Sequence, residues 1–163
     1  MRYPAGKLKT REQITRIADL LHSEGKTIVH TNGCFDVLHV GHIKSLNEAR
    51  AQGDLLIVSL NSDASVKRLK GPSRPVFPEH ERAMLLGALE CVDYVVIFEE
   101  DRPDDNIAAI RPTVHAKGGD YTPDTLPEAP LVKSLGGRIH ILAFHDGRST
   151  TAVIQQMREE EVE

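Results

Sequence analysis

Five short runs of β-branched and apolar residues leave this chain few ways to fold. They are Thr27–Thr31 "TIVHT", Leu55–Leu60 "LLIVSL", Tyr94–Phe98 "YVVIF", Val114–Ala116 "VHA" and Ile139–Ala143 "IHILA", each ended by turn-forming residues. Runs that stay apolar, rather than alternating with polar residues, suit strands buried on both faces. Between them, Ile43–Gln52, Glu79–Leu89 and Asp104–Ile110 repeat apolar residues at intervals of three and four, as one helix face requires. Alternating strand and helix argue for a parallel sheet covered by helices. The expectation is a Rossmann-like, doubly wound α/β fold with five parallel strands and helices on both faces. Thr10–Ser23 reads as a further helix, capped by Thr10, striped by Ile14, Ile17, Ala18 and Leu21, and stopped by Gly25. The 163 residues suit one domain: a helical N-terminal extension over 1–25, a core over 26–157 and a solvated acidic tail over 158–163.

A net charge of −4 gives no basic excess for nucleic-acid binding, so no such partner is expected. Cys34 and Cys91 lie far apart without a CxxC, which fits a reducing compartment. The start "MRYPAGKLKTREQ" lacks the apolar centre of a signal peptide, and no apolar stretch approaches the roughly 18 residues that span a bilayer. The reading is a cytoplasmic protein with no membrane partner.

In doubly wound sheets ligands bind beyond the carboxyl ends of the strands, so the loops after the strands are the places to search. After the first run, "NGCFDVLHVGHIKSL" turns and re-enters helical periodicity near Gly41, placing His39 and His42 at a strand-to-helix junction. A helix start offers unpaired N–H groups and the positive end of the dipole, which favour phosphate. Gly33 would let backbone approach an anion, Gly41 would clear the helix start, and the two histidines would donate hydrogen bonds or positive charge to one phosphate. Other readings stay open: zinc, although no fourth ligand lies near, or a capping or buried histidine pair. Cys34 reads as a small packed residue rather than a nucleophile. Asp36 is able either to hold Mg²⁺ or to brace the turn. Neither GxGxxG nor GxxxxGK[ST] occurs, so a phosphate cradle of another design remains.

"VLHVGH" resembles the HxGH signature of the nucleotidylyltransferase superfamily, in its cytidylyltransferase-like branch. The segments "TNGCFDVLHVGH", "LNSDASVKRLKG", "RPVFPEHER", "VDYVVIFEED", "KGGDY", "LPEAPLVKSLGG" and "RSTT" follow the order found in members that make ADP-heptose from heptose 1-phosphate. The resemblance implies adenylyl transfer from ATP, with Mg²⁺, to D-glycero-D-manno-heptose 1-phosphate, and a homodimer or larger homo-oligomer. In many bacteria such a domain is fused behind a sugar kinase. A cytidylyltransferase acting on glycerol 3-phosphate or a related alcohol phosphate is the nearest alternative, and a non-catalytic nucleotide-binding regulator a more distant one.

By the same resemblance His39, His42 and Lys70 would be catalytic. Asn32, Gly33, Cys34, Phe35, Gly41, Arg82, Lys117, Gly118, Asp120, Ser149, Thr150 and Thr151 would bind nucleotide. Lys70 ends a charged segment over 67–75 that reads as a mobile loop, with Lys67, Arg68 and Arg74 as weaker candidates. Arg82 would make a structural or phosphate contact, with Glu79 and Glu81 competing for its charge. Lys117 would face phosphate and Asp120 the nucleotide or sugar, whereas a plain turn explains Gly118 and Gly119 equally well. Ser149 or Thr150 would cap the last helix while holding the far phosphates of ATP.

Overall fold

In the computed structural model, which describes residues 4–119 and 121–143, six strands form one sheet. They are β1 (Leu8–Lys9), β2 (Ile28–Gly33), β3 (Leu55–Asn61), β4 (Tyr94–Phe98), β5 (Val114–Lys117) and β6 (Arg138–Ile141). Every pairing is parallel and the order is β1-β4-β3-β2-β5-β6. The expected five strands thus become six. The addition is β1, whose Leu8 and Lys9 pair with Val95 and Val96, and two residues carry no periodicity from which to read a strand.

The helices are α1 (Arg11–Ser23), α2 (Val40–Arg50), α3 (Asp63–Lys70), α4 (Glu79–Ala88), α5 (Asp104–Ile110) and α6 (Ala129–Ser134). Thr10 starts α1 in a reciprocal capping box with Gln13. The strand period of two divides the core into layers. Val29, Leu56, Val58 and Val95 pack with Leu46 and Ala49 of α2 and with Ala83 and Leu86 of α4. Their neighbours Ile28, Ile57 and Val96 pack on the other side with Ile14 and Ala18 of α1 and Ile110 of α5. Residues 8–23, read as an extension, therefore build an edge strand and part of one helical layer.

From β2 the chain crosses through α2 to β3, whereas from β5 it crosses through α6 to β6 on the opposite side. Strands β2 and β5 are neighbours, so the strand order reverses between them, and the crevice beyond their ends is where such sheets take ligands. No helix among the described residues is long and apolar enough to cross a membrane.

One polar chain runs through the interior on the face of the sheet that carries α1 and α5. His30 Nδ1 lies 2.9 Å from His115 Nδ1, and His30 Nε2 lies 2.7 Å from Ser59 Oγ. Asn106 Nδ2 donates to Ser59 Oγ at 2.9 Å, and Arg11 Nε donates to Asn106 Oδ1 at 2.7 Å. An N···N hydrogen bond needs one bare and one protonated nitrogen, so the pair works with both rings neutral. Burial pushes His115 down to about 4 and His30 well below its usual value, each ring helped by the Lys117 charge.

Above about pH 6.5 these rings are neutral whether the chain is folded or not, and stability is unaffected. Below it the unfolded chain takes up protons that the native pair refuses, so stability falls as the pH drops toward 4. At about 1.4 kcal/mol per pKa unit, His115 alone costs about 2 kcal/mol at pH 5. Urea midpoints at about pH 7.5 and pH 5 are expected to show this loss, and equal midpoints would contradict the neutral pair.

Candidate active site

The bank of the crevice beside β2 is built on the start of α2. His39 is the N-cap residue, in extended conformation, and its Nδ1 accepts from the Gly41 N–H at 3.2 Å. His42 Nδ1 accepts from the His39 N–H at 3.4 Å, and the two rings stack with centroids 3.9 Å apart. Both histidines therefore cap the helix, and capping leaves the proton of each neutral ring on Nε2. Burial, then the adjacent His39, pushes His42 down to about 4. With Nδ1 of each ring turned to a backbone N–H, Nε2 is the ring atom left outside the cap.

Phe35, at φ 44, leans its ring on His42 with centroids 5.3 Å apart. A Cβ on Gly33 would lie 3.0 Å from Phe35 Cε2, so the missing side chain at Gly33 makes room for the phenyl ring rather than for an anion. Cys34 is half-buried, and burial pushes its thiol up against the opposing pull of Lys70, Arg82 and Arg74. Those same influences place three cations around the turn.

Two of the three are already committed. Arg82 has no exposed surface: Nε donates to Phe77 O at 2.9 Å, Nη1 to Cys34 O at 2.6 Å and Asn61 O at 2.9 Å, and Nη2 to Asp63 at 2.7 Å. This spends the guanidinium on structure, correcting its assignment to nucleotide and discounting Glu79 and Glu81 as competitors. Arg74 pairs with the buried Asp36. Asp36 also accepts from the N–H groups of Val76 at 2.6 Å and Phe77 at 3.2 Å. Both its oxygens are engaged, so Asp36 braces the turn and does not fit a magnesium ligand. Among the described residues, no group of three or more His, Cys, Asp or Glu could hold a metal ion.

Lys70 is exposed as the last residue of α3, ahead of Gly71 at φ 98. The stretch read as a loop from residue 67 is helical to 70, because Ser62 caps a helix at 63 whose charged residues sit on its solvent face. Arg68 is tied to Asp101 at 2.7 Å and to Glu99 O.

Across the crevice, Lys117 Nζ donates to Asn32 Oδ1 at 2.8 Å and lies 3.4 Å from Glu128 Oε1, bridging the ends of β5 and β2. Gly118 meets only Leu142 at 4.0 Å, whereas Gly119, at φ 109, is the residue whose conformation needs glycine. Asp120, Ser149, Thr150 and Thr151 lie outside the described residues. His39, His42, Phe35, Cys34, Asn32 and Lys117 thus lie at or just beyond the carboxyl ends of β2 and β5, and the Lys70 charge is near enough to act on the Cys34 thiol. Sequence reasoning missed Glu128, Asn61 and Asp63, whose partners are distant in the chain and leave no local spacing to read.

The family model described as Cytidylyltransferase-like matches residues 30–156. The chain is 53% identical over 151 residues to the bifunctional protein HldE of Syntrophotalea carbinolica, covering 93% of this chain and 31% of that protein. The bifunctional protein HldE of Pelobacter propionicus is 54% identical over 153 residues, covering 94% of this chain and 31% of that protein. The chain therefore spans about a third of the length of these relatives. A lipopolysaccharide core biosynthesis protein from Thermoplasma volcanium superposes with a TM-score of 0.63 at 31% identity, over 75% of this chain and all of that one. A pantoate-beta-alanine ligase from Francisella tularensis shares the fold, with a TM-score of 0.58 at 15% identity over 88% of this chain and 68% of that one.

Replacing Arg82 by Met removes the buried cation and strands the carbonyls of Cys34, Asn61 and Phe77. A loss of about 3 kcal/mol or more is expected in urea unfolding. A loss below about 1 kcal/mol would show that the turn does not depend on it.

Proposed function

The chain belongs to the cytidylyltransferase-like family, and on that premise we propose that it transfers AMP from ATP to D-glycero-D-manno-heptose 1-phosphate, giving ADP-heptose and pyrophosphate. The observation that carries the reading is the stacked His39–His42 pair that caps the start of α2, on the crevice where the strand order reverses. An oxygen of the sugar phosphate attacks the α-phosphorus in line while the bond to pyrophosphate breaks. The nucleophile is already an anion, so no covalent enzyme intermediate is needed, and catalysis reduces to positioning and charge stabilisation.

The histidine Nε2–H groups, with the α2 dipole behind them, stabilise negative charge growing on the α- and β-phosphates. Lys70, at the end of α3 and exposed, is placed to follow the triphosphate on its flexible stem. Asn32 and Lys117 close the other side of the crevice. Asp120, Ser149, Thr150 and Thr151 keep the nucleotide-binding roles given by resemblance. Magnesium belongs to this reading as part of the MgATP substrate, held by phosphate oxygens and water. Cytoplasmic action and a homodimer or larger assembly complete it.

Likeness to a lipopolysaccharide core biosynthesis protein and to bifunctional HldE proteins favours the heptose acceptor. The family description itself favours a second reading, a cytidylyltransferase using glycerol 3-phosphate or a related alcohol phosphate. Pyrophosphate release with ATP or CTP, each crossed with both acceptors, separates them. Release with ATP and heptose 1-phosphate is expected; its absence there rejects the first reading. Substituting His42 by Ala is expected to lower kcat about 100- to 1000-fold, and turnover near that of the unaltered protein would remove His42 from the mechanism.

A further inference from the structure

A transfer between two phosphate-bearing substrates needs two places for phosphate. The histidine pair provides one, on α2, a helix whose Leu46 and Ala49 pack with Val29 and Leu56. Strand alternation sends Asn32 and Lys117 to the opposite face, the one that carries His30 and His115. The Lys117 ammonium thus stands on the other bank of the same crevice. Two of its three N–H groups are directed to Asn32 Oδ1 at 2.8 Å and Glu128 Oε1 at 3.4 Å, which leaves a third.

Glu128 has no role in the sequence reading. It is 5% exposed and precedes α6 without capping it, and its Oε2 is buried with no partner among the described residues. A buried carboxylate that neither caps a helix nor completes a network is accounted for by its ion pair with Lys117. We propose that Glu128 is a positioning residue for the acceptor: through Asn32 and Glu128 the crevice holds the Lys117 ammonium for the acceptor's phosphate monoester, while the triphosphate lies on the histidine bank.

Burial pulls the Lys117 pKa down and Glu128 opposes it. The other titratable groups facing the ammonium are Cys34 from the turn and the neutral rings of His30 from β2 and His115 from β5. Without the Glu128 charge, Lys117 loses its proton at lower pH and with it the acceptor site.

The inference rests on the adenylyltransferase reading, and the test separates the two. With Glu128→Gln, the KM for heptose 1-phosphate is expected to rise about tenfold or more at about pH 8.5. The KM for ATP stays within about twofold, and the defect shrinks as the pH is lowered, because a Lys117 deprived of the Glu128 charge regains its proton in that direction. Glu128→Asp is expected to restore most of the loss. Equal rises in both KM values, or a defect independent of pH, would overturn the proposal in favour of a merely structural residue. Should the unaltered protein release no pyrophosphate from this substrate pair, the functional reading fails. The positioning claim is then decided by NMR of ¹³Cε-labelled lysine with inorganic phosphate as the probe, Lys117 being assigned by Lys117→Met. Phosphate is expected to shift the Lys117 signal in the unaltered protein and much less in Glu128→Gln. No shift, or equal shifts, overturns it; a Glu128→Gln chain that does not fold moves the comparison to Glu128→Asp, where a weakened shift is expected and an unchanged one overturns it.

Discussion

The guanidinium of Arg82 holds the turn between β2 and α2 where it is. It is fully buried on α4, yet its donors reach the carbonyl of Cys34 in the turn, Asn61 at the end of β3, Phe77 in the approach to α4, and the Asp63 carboxylate at the start of α3. These segments would otherwise leave buried carbonyls unpaired. Asp36 makes the reciprocal tie, a buried carboxylate in the turn that gathers Arg74 and the N–H groups of Val76 and Phe77. Two buried charges, one on each side, clamp the turn between β2 and α2 to the segment 74–77. Because each lies in low dielectric with its hydrogen bonds made, loosening either exposes an expensive unpaired group.

That rigidity holds two histidines at a helix start. His39 and His42 take each other's place in a capping box that side-chain oxygens usually form. With each Nδ1 turned to a backbone N–H, the cap leaves Nε2 of both rings on its outer side. Capping therefore does not preclude the phosphate contact proposed for the pair.

Legibility in the sequence followed the range of the forces involved. The five apolar runs and the helix Thr10–Ser23 are local patterns, and all appear as elements. Strand β1 and helix α6 are too short to show a period, and α3 hides its periodicity under charge. The crevice was legible because the HxGH spacing is local to one strand–helix junction. What was not legible is pairing at a distance: Arg82 read as either a structural or a phosphate contact because its acceptors lie in other segments, and Asp36 stayed ambiguous without Arg74 beside it. Glu128 carries no local signal at all, since only the fold brings it to Lys117.

The parity of the sheet depends on the same long-range chemistry. Strands β2, β3 and β5 are buried on both faces, so burial alone is a weak guard against a one-residue slip, which would exchange the two faces. The polar chain supplies the missing specification. His30 finds His115 on one side and Ser59 on the other, and Ser59 finds Asn106. Slip β2 by one residue and His30 turns toward the Leu46 and Ala49 layer, leaving buried nitrogens without partners at a cost of about 1–3 kcal/mol each. The same slip would carry Asn32 away from Lys117. The register that pairs His30 with His115 and Ser59 is thus also the register that brings Asn32 to Lys117.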